Sequence, residues 1–172
     1  MRYFISQEKT PNPDIITDNT FSASSIFAVV TYALTKSPDK TLSVNCLSGE
    51  ALKSQAETDI FLFSTLEPYC SLYLSKCGNN TRKTQVPYGI AGAAWKLFGE
   101  TVIRRLGSNI EAIDDVWRII DDKIVANFDS TEHADKTCRN ATQTAISADD
   151  FKQACTMLES WLRTEIRKVQ TT

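Results

Sequence analysis

Apolar residues in the first half of the chain switch between two periods, and that switching constrains the fold more than any other feature. Ile15 and Ile16 lie in a short apolar segment from Asp14 to Asp18, and Ile26, Val29, Val30, Ala33 and Leu34 then recur at helical spacing. Thr41 to Leu47 alternates, and Asp59-Ile60-Phe61-Leu62-Phe63 is a continuous apolar run of the kind buried on both faces of a parallel sheet. Tyr69 to Leu74 offers one more strand. Strand, helix and strand in this order predict βαβ units, because parallel neighbours need a long crossover and a helix is the usual one. Ser22 or Ser24 is placed to cap the first helix and Ser37-Pro38-Asp39 to stop it. Ser48-Gly49-Glu50 leads into a brief helix ending near Glu57. Residues 1–13, which include Pro11 and Pro13, read as an irregular lead.

Beyond the polar loop from Lys76 to Gln85 the pattern turns wholly helical. Ile90, Ala93, Ala94, Leu97 and Val102 share a face, with Gly92 and the alanines permitting close packing and Gly107-Ser108-Asn109 a stop. A second helix repeats apolar residues at Ile110, Ile113, Trp117, Ile120, Ile124 and Phe128, which leaves Asp114, Asp115, Asp121 and Asp122 on its other faces. A third opens with Ser147 as N-cap and Asp150 three residues on, and buries Phe151, Ala154, Cys155, Leu158, Leu162 and Ile166. The expected fold is therefore α/β, a parallel-sheet N-terminal half closed by C-terminal helices, in one domain over residues 1–172.

Composition excludes several classes. A formal net charge of −2 gives no global attraction to nucleic acid or anionic lipid. No apolar run approaches the roughly 20 residues of a membrane span. The segment Met1 to Asp14 lacks a signal-peptide core, although Arg2 and Lys9 keep a mitochondrial presequence open. The five cysteines (46, 70, 77, 138 and 155) form an odd set with no disulfide framework, and with His133 as the one histidine they make no zinc site. Reduced, partly buried thiols in an intracellular compartment (cytoplasm, nucleus or mitochondrion) are the expectation. The six glycines do not cluster into a phosphate loop, and no nucleophile elbow is present.

Two segments carry a family likeness. Thr17-Asp18-Asn19-Thr20-Phe21-Ser22-Ala23-Ser24-Ser25 and Ala91-Gly92-Ala93-Ala94-Trp95-Lys96-Leu97-Phe98-Gly99 resemble stretches of the melanocyte-proliferating-gene exonucleases, a branch of the DHH phosphoesterases. That family reads Thr-His-Asn-Gly-Thr-Phe-His-Cys-Asp-Glu at the first stretch and Ala-Gly-Leu-Ile-Tyr-Lys-His-Phe-Gly at the second. Its metal-holding histidines and aspartate fall at Asp18, Ser22 and Ser24 here, and another aspartate ligand falls at Phe63. The Tyr-Asp-His-His motif falls nearest Tyr73-Leu74-Ser75-Lys76. In the segment from Val125 to His133, Asp129 keeps the first family aspartate and Glu132 takes the place of the second. The resemblance runs from Ile15 to about Lys168 and implies a DHH-like domain without the family's second domain.

What the resemblance implies for chemistry is loss. Two-metal hydrolysis needs several carboxylates and imidazoles converging on a pair of ions about 3.5–4 Å apart. Asp18 and Asp129 are the residual candidates, and Asp18 still offers an oxygen for magnesium or manganese, though a surface or capping role is its plainer reading. The leading expectation is a catalytically inactive domain, with no cofactor, acting as a binding or scaffold subunit of a protein or ribonucleoprotein assembly. Two alternatives stand beside it: a minimal manganese- or magnesium-dependent nuclease or phosphoesterase, and a nucleotide-binding module without turnover. Lys76, Arg82 and Lys83, flanking Asn79, Asn80 and Thr81, form a basic loop able to grip RNA phosphates, although a plain solvated loop is the commoner outcome. Arg104-Arg105 and the Arg163, Arg167 and Lys168 end read first as helix-dipole partners, and His133 as a solvated loop histidine.

Overall fold

The computed structural model describes residues 2–8, 10–18, 22–47, 51, 61–63, 82–107, 112–137 and 147–170. The described strands form a four-stranded sheet, every pairing of which is parallel, in the order β1-β3-β2-β4. Its strands are β1 (Arg2–Ser6), β2 (Ile15–Asp18), β3 (Thr41–Leu47) and β4 (Phe61–Phe63). Helix α1 (Ala23–Leu34) joins β2 to its parallel neighbour β3, which is the βαβ unit expected from the alternating periods. Ile15 and Ile16 point to opposite faces of β2 and both are fully buried, so the sheet is covered on both sides there.

Residues 1–13 are not the irregular lead that their prolines suggest. Arg2–Ser6 is an edge strand in register with Thr41 to Asn45 of β3. Tyr3 is buried while Phe4 is exposed, the alternation of a strand with one covered face. Pro11 and Pro13 lie beyond that strand and only prevent its continuation. The Tyr3 hydroxyl donates to Glu159 Oε2 at 3.2 Å, which ties the edge strand to the last helix. Glu159 in turn faces Arg163 at 2.9 Å.

Helix α1 is the axis of the core. Every residue from Ser24 to Leu34 is buried, which an isolated amphipathic helix never achieves; the sheet covers one side and later helices the others. Ser22 caps it by accepting the Ser25 N–H at 3.1 Å, and the buried Thr31 hydroxyl is satisfied by the Phe27 carbonyl at 2.8 Å. The covering helices are α2 (Ile90–Leu106), α3 (Ile113–Ile120), α4 (Ala126–Thr137) and α5 (Ala148–Gln170). At its far end α1 is tied to α2, where Arg105 Nη1 donates to the Thr35 carbonyl at 2.6 Å. Ser147 caps α5 through the Asp150 N–H at 3.1 Å, as its sequence implies. Cys46 and Cys155 are both buried in this core.

Between α3 and α4 the helix does not run on regularly. Asp121–Val125 is a π-helical turn, in which the Ala126 N–H reaches back to the Asp121 carbonyl. Asp121 opens that turn and is buried, at 3% exposure, although simple periodicity places it on an outer face. The expected Tyr69 to Leu74 strand and the brief helix ending near Glu57 lie outside the described residues.

Helices α2 and α3 are locked by two tryptophans that exchange hydrogen bonds. Trp95 Nε1 donates to the Trp117 carbonyl at 3.2 Å and Trp117 Nε1 to the Trp95 carbonyl at 3.3 Å, with the rings stacked. Gly99 makes room for this exchange, since a Cβ there would meet Trp95 at 2.7 Å and the Trp117 indole nitrogen at 2.8 Å. A glycine-to-alanine change inside a helix ordinarily stabilises by up to about 1 kcal/mol. At Gly99 we expect the opposite sign, a loss of about 2 kcal/mol from overpacking, read from urea unfolding followed by tryptophan fluorescence.

Candidate functional site

The turn before α2 delivers an arginine into the protein. Arg82 accepts the Gln85 N–H on its carbonyl at 2.9 Å, and Gln85 takes φ 62°, a left-handed conformation that costs a residue with a Cβ. From this turn the Arg82 side chain runs inward until it is 1% exposed. Its Nε and Nη2 donate side-on to the two carboxylate oxygens of Asp121 at 2.8 and 2.9 Å, the bidentate geometry that suits a planar guanidinium. Nη1 reaches the Pro87 carbonyl at 3.4 Å. The Tyr88 ring stacks 3.9 Å from the guanidinium carbon, and its hydroxyl donates to Asp121 Oδ2 at 3.3 Å.

Asp129 closes the arrangement from α4. Its Oδ1 accepts the Gly92 N–H at 3.0 Å, within the first turn of α2, where Gly89 as N-cap offers no side chain. Asp129 is thus a capping carboxylate supplied from another helix, placed where the α2 macrodipole favours negative charge. Its Oδ2 lies 2.7 Å from Arg82 Nη2 but receives no aligned hydrogen bond among the described residues. The contact is one of charge rather than of directed bonding. Gly92 is required here: a Cβ would run into Asp129 Oδ2, Tyr88 and Arg82 Nη2. On the far side of α4, Ser24 Oγ donates to the Phe128 carbonyl at 3.2 Å, which sets Asp129 beside the start of α1.

One guanidinium therefore serves two carboxylates, all three nearly removed from water. Burial works against the Arg82 charge, yet Asp121 and Asp129 outweigh it and hold the group above its ordinary value. Burial pushes the Asp129 carboxyl up, against the pull of Arg82 and of the Gly92 N–H. Tyr88 is pushed up to about 12, by burial first and by Asp121 next, so its hydroxyl remains a donor. Lys96 Nζ stands 4.5 Å from the Tyr88 ring centre.

The residues singled out in the sequence fare differently. Asp129 lies at the centre of the cluster. Arg82 is not part of an exposed phosphate grip; two buried aspartates have drawn it inside, while its neighbour Lys83 stays exposed. Ser22 serves the α1 cap and Ser24 the Phe128 carbonyl. The side chains of Asp18, Phe63, Glu132 and His133, and all of Lys76, lie outside the described residues. Asp121 and Tyr88 escaped sequence reasoning. Two turns apart, Asp121 and Asp129 are roughly 80° out of phase on a regular helix, and the π-helical turn removes that offset.

Among the described residues no group of three or more His, Cys, Asp or Glu side chains is placed to hold a metal ion. No helix among them is long and apolar enough to cross a membrane. Comparison with protein-family models, with curated proteins and with solved structures finds no match to the chain.

Substitutions at Asp129 separate its roles. Asp129→Ala removes both the α2 cap and one counter-charge of a buried arginine, and we expect a loss of about 3 kcal/mol. Asp129→Asn should cost less, because an amide oxygen still accepts the Gly92 N–H. A carboxyl whose folded pKa lies above its unfolded one takes its proton first in the native state. Its contribution is complete below the ordinary carboxylate range and lost as pH rises through the raised value. Wild type should therefore gain stability relative to Asp129→Asn as pH falls from neutral toward about 4, which paired urea titrations will measure.

Proposed function

We propose that the chain is a catalytically inactive, DHH-like domain that works as a binding or scaffold subunit, with a ribonucleoprotein assembly as its setting. One observation carries the reading: Asp129, the family carboxylate kept in register, is spent on the fold. One oxygen caps α2 at Gly92 and the other faces the Arg82 guanidinium. A carboxylate with one oxygen in a helix cap and the other buried against a guanidinium is turned away from solvent, which counts against its holding a metal-bound water. Ser22 and Ser24 add to the case, since hydroxyls occupied in a helix cap and a carbonyl bond are structural replacements for ligands. RNA contact, if made at the Lys76 to Lys83 loop, rests on lysines rather than on Arg82, whose charge is already matched inside.

The enzyme alternative requires Asp129 to leave both partners and join Asp18 around an ion, and the buried ion pair opposes that. Purified chain should give no hydrolysis of short oligonucleotides with manganese or magnesium, and Asp129→Asn should match the wild type. Metal-dependent turnover that disappears in Asp129→Asn would overturn the proposal. A native pull-down from the source cell, read by mass spectrometry with and without RNase, should recover the chain inside a large assembly. Recovery of the free chain alone would count against a scaffold.

A further inference from the structure

The strap from Arg82 to Gly89 ends in a receptor for its own side chain. The guanidinium is met on one edge by a bidentate carboxylate, on one face by a ring, and at its tips by a second carboxylate and a carbonyl. Its Nε and Nη2 edge lies on Asp121, its Nη2 tip against Asp129, its Nη1 toward the Pro87 carbonyl and one face on the Tyr88 ring. An ammonium, a point charge with no flat face, has no equivalent of the side-on pair or the stack. The walls come from separate elements: Asp121 from the π-helical turn, Asp129 from α4 and Gly92 from the start of α2. The strap itself is bent against preference, with Gln85 at φ 62°, so the seat rather than the local backbone holds it down.

We infer that Asp121, Asp129 and Tyr88 form a guanidinium-binding site, filled in cis by Arg82 and able to take a free alkylguanidinium when that side chain is removed. The shape of the seat drives this. Without Arg82 the Asp121 carboxylate, the Asp129 carboxyl and the Tyr88 ring still line the space the side chain leaves, and the species that fits is planar, positive and the size of the deleted atoms. Ethylguanidinium matches the part of Arg82 lost in Arg82→Ala. The inference needs only this geometry and stands apart from the scaffold reading; a failed pull-down would leave it untouched.

The test is chemical rescue of the full-length Arg82→Ala variant. Removing one partner of a buried ion pair should lower its Tm by roughly 10 °C. Ethylguanidinium at on the order of 10 mM, too dilute to denature, should restore about half of that loss or more, in a saturable way. Wild type should not move, because its site is full. Ethylurea, the neutral isostere, and ethylammonium should restore little, and Arg82→Ala/Asp129→Asn should lose most of the response. Equal shifts in wild type and variant, rescue by ethylurea, or better rescue by manganese than by the guanidinium would each overturn the inference. So would a variant that stays unfolded in every additive. A second measurement uses the wild type alone: the Arg82 Nε–H should give a sharp, slowly exchanging NMR signal, and rapid exchange with water would contradict a sealed seat.

Discussion

Taking a guanidinium out of water costs several kcal/mol unless its edges are met by negative charge and its remaining donors by oxygen. In this protein that requirement is discharged by groups from four places in the chain, and much of the second half is arranged around it. Arg82 brings in the turn before α2, and Asp121 needs the π-helical turn to face it. Asp129 couples the same charge to the first turn of α2, where Gly92 leaves room for all three. Loss of any one member leaves a buried charge without its partner, so the members are expected to act as a unit rather than as separate contacts.

The sheet and α1 follow a simpler logic, and there the sequence was legible. Thr41–Leu47 forms a strand over the residues its alternation marks, and the helix from Ala23 to Leu34 forms where the stripe of Ile26, Val29, Val30, Ala33 and Leu34 marks it, though it is buried on every side from Ser24 on. Hydrophobic period is a local signal that survives into the fold. The miss at Arg2–Ser6 has a local cause too: two prolines a few positions on outweighed a short alternating strand that needs β3, far away in sequence, to exist at all.

The site was half legible. Asp129 is a candidate residue from the sequence alone, but its role as cap and counter-ion depends on Gly92 and Arg82, which no spacing rule connects to it. Arg82 reads as surface because arginine in a polar loop usually is. Its burial follows from two aspartates on a distant helix. Asp121 reads as surface because the apolar period puts it on another face, and pairing with the buried Arg82 takes it inside. What failed was the inference of long-range pairing and of a departure from the ideal period, the two things that composition and periodicity do not carry.

The bond between Tyr3 and Glu159 has a bearing on order in time. The ribosome makes Tyr3 long before Glu159, since the two stand 156 positions apart. Until α5 arrives, the Tyr3 hydroxyl lacks its acceptor and the core-facing side of β1 lacks that part of its cover. The nascent sheet then presents an uncovered apolar face along β1, a surface open to non-native association. The helix that shuts β1 in is made long after that strand, so this part of the core closes only once Glu159 has been synthesised.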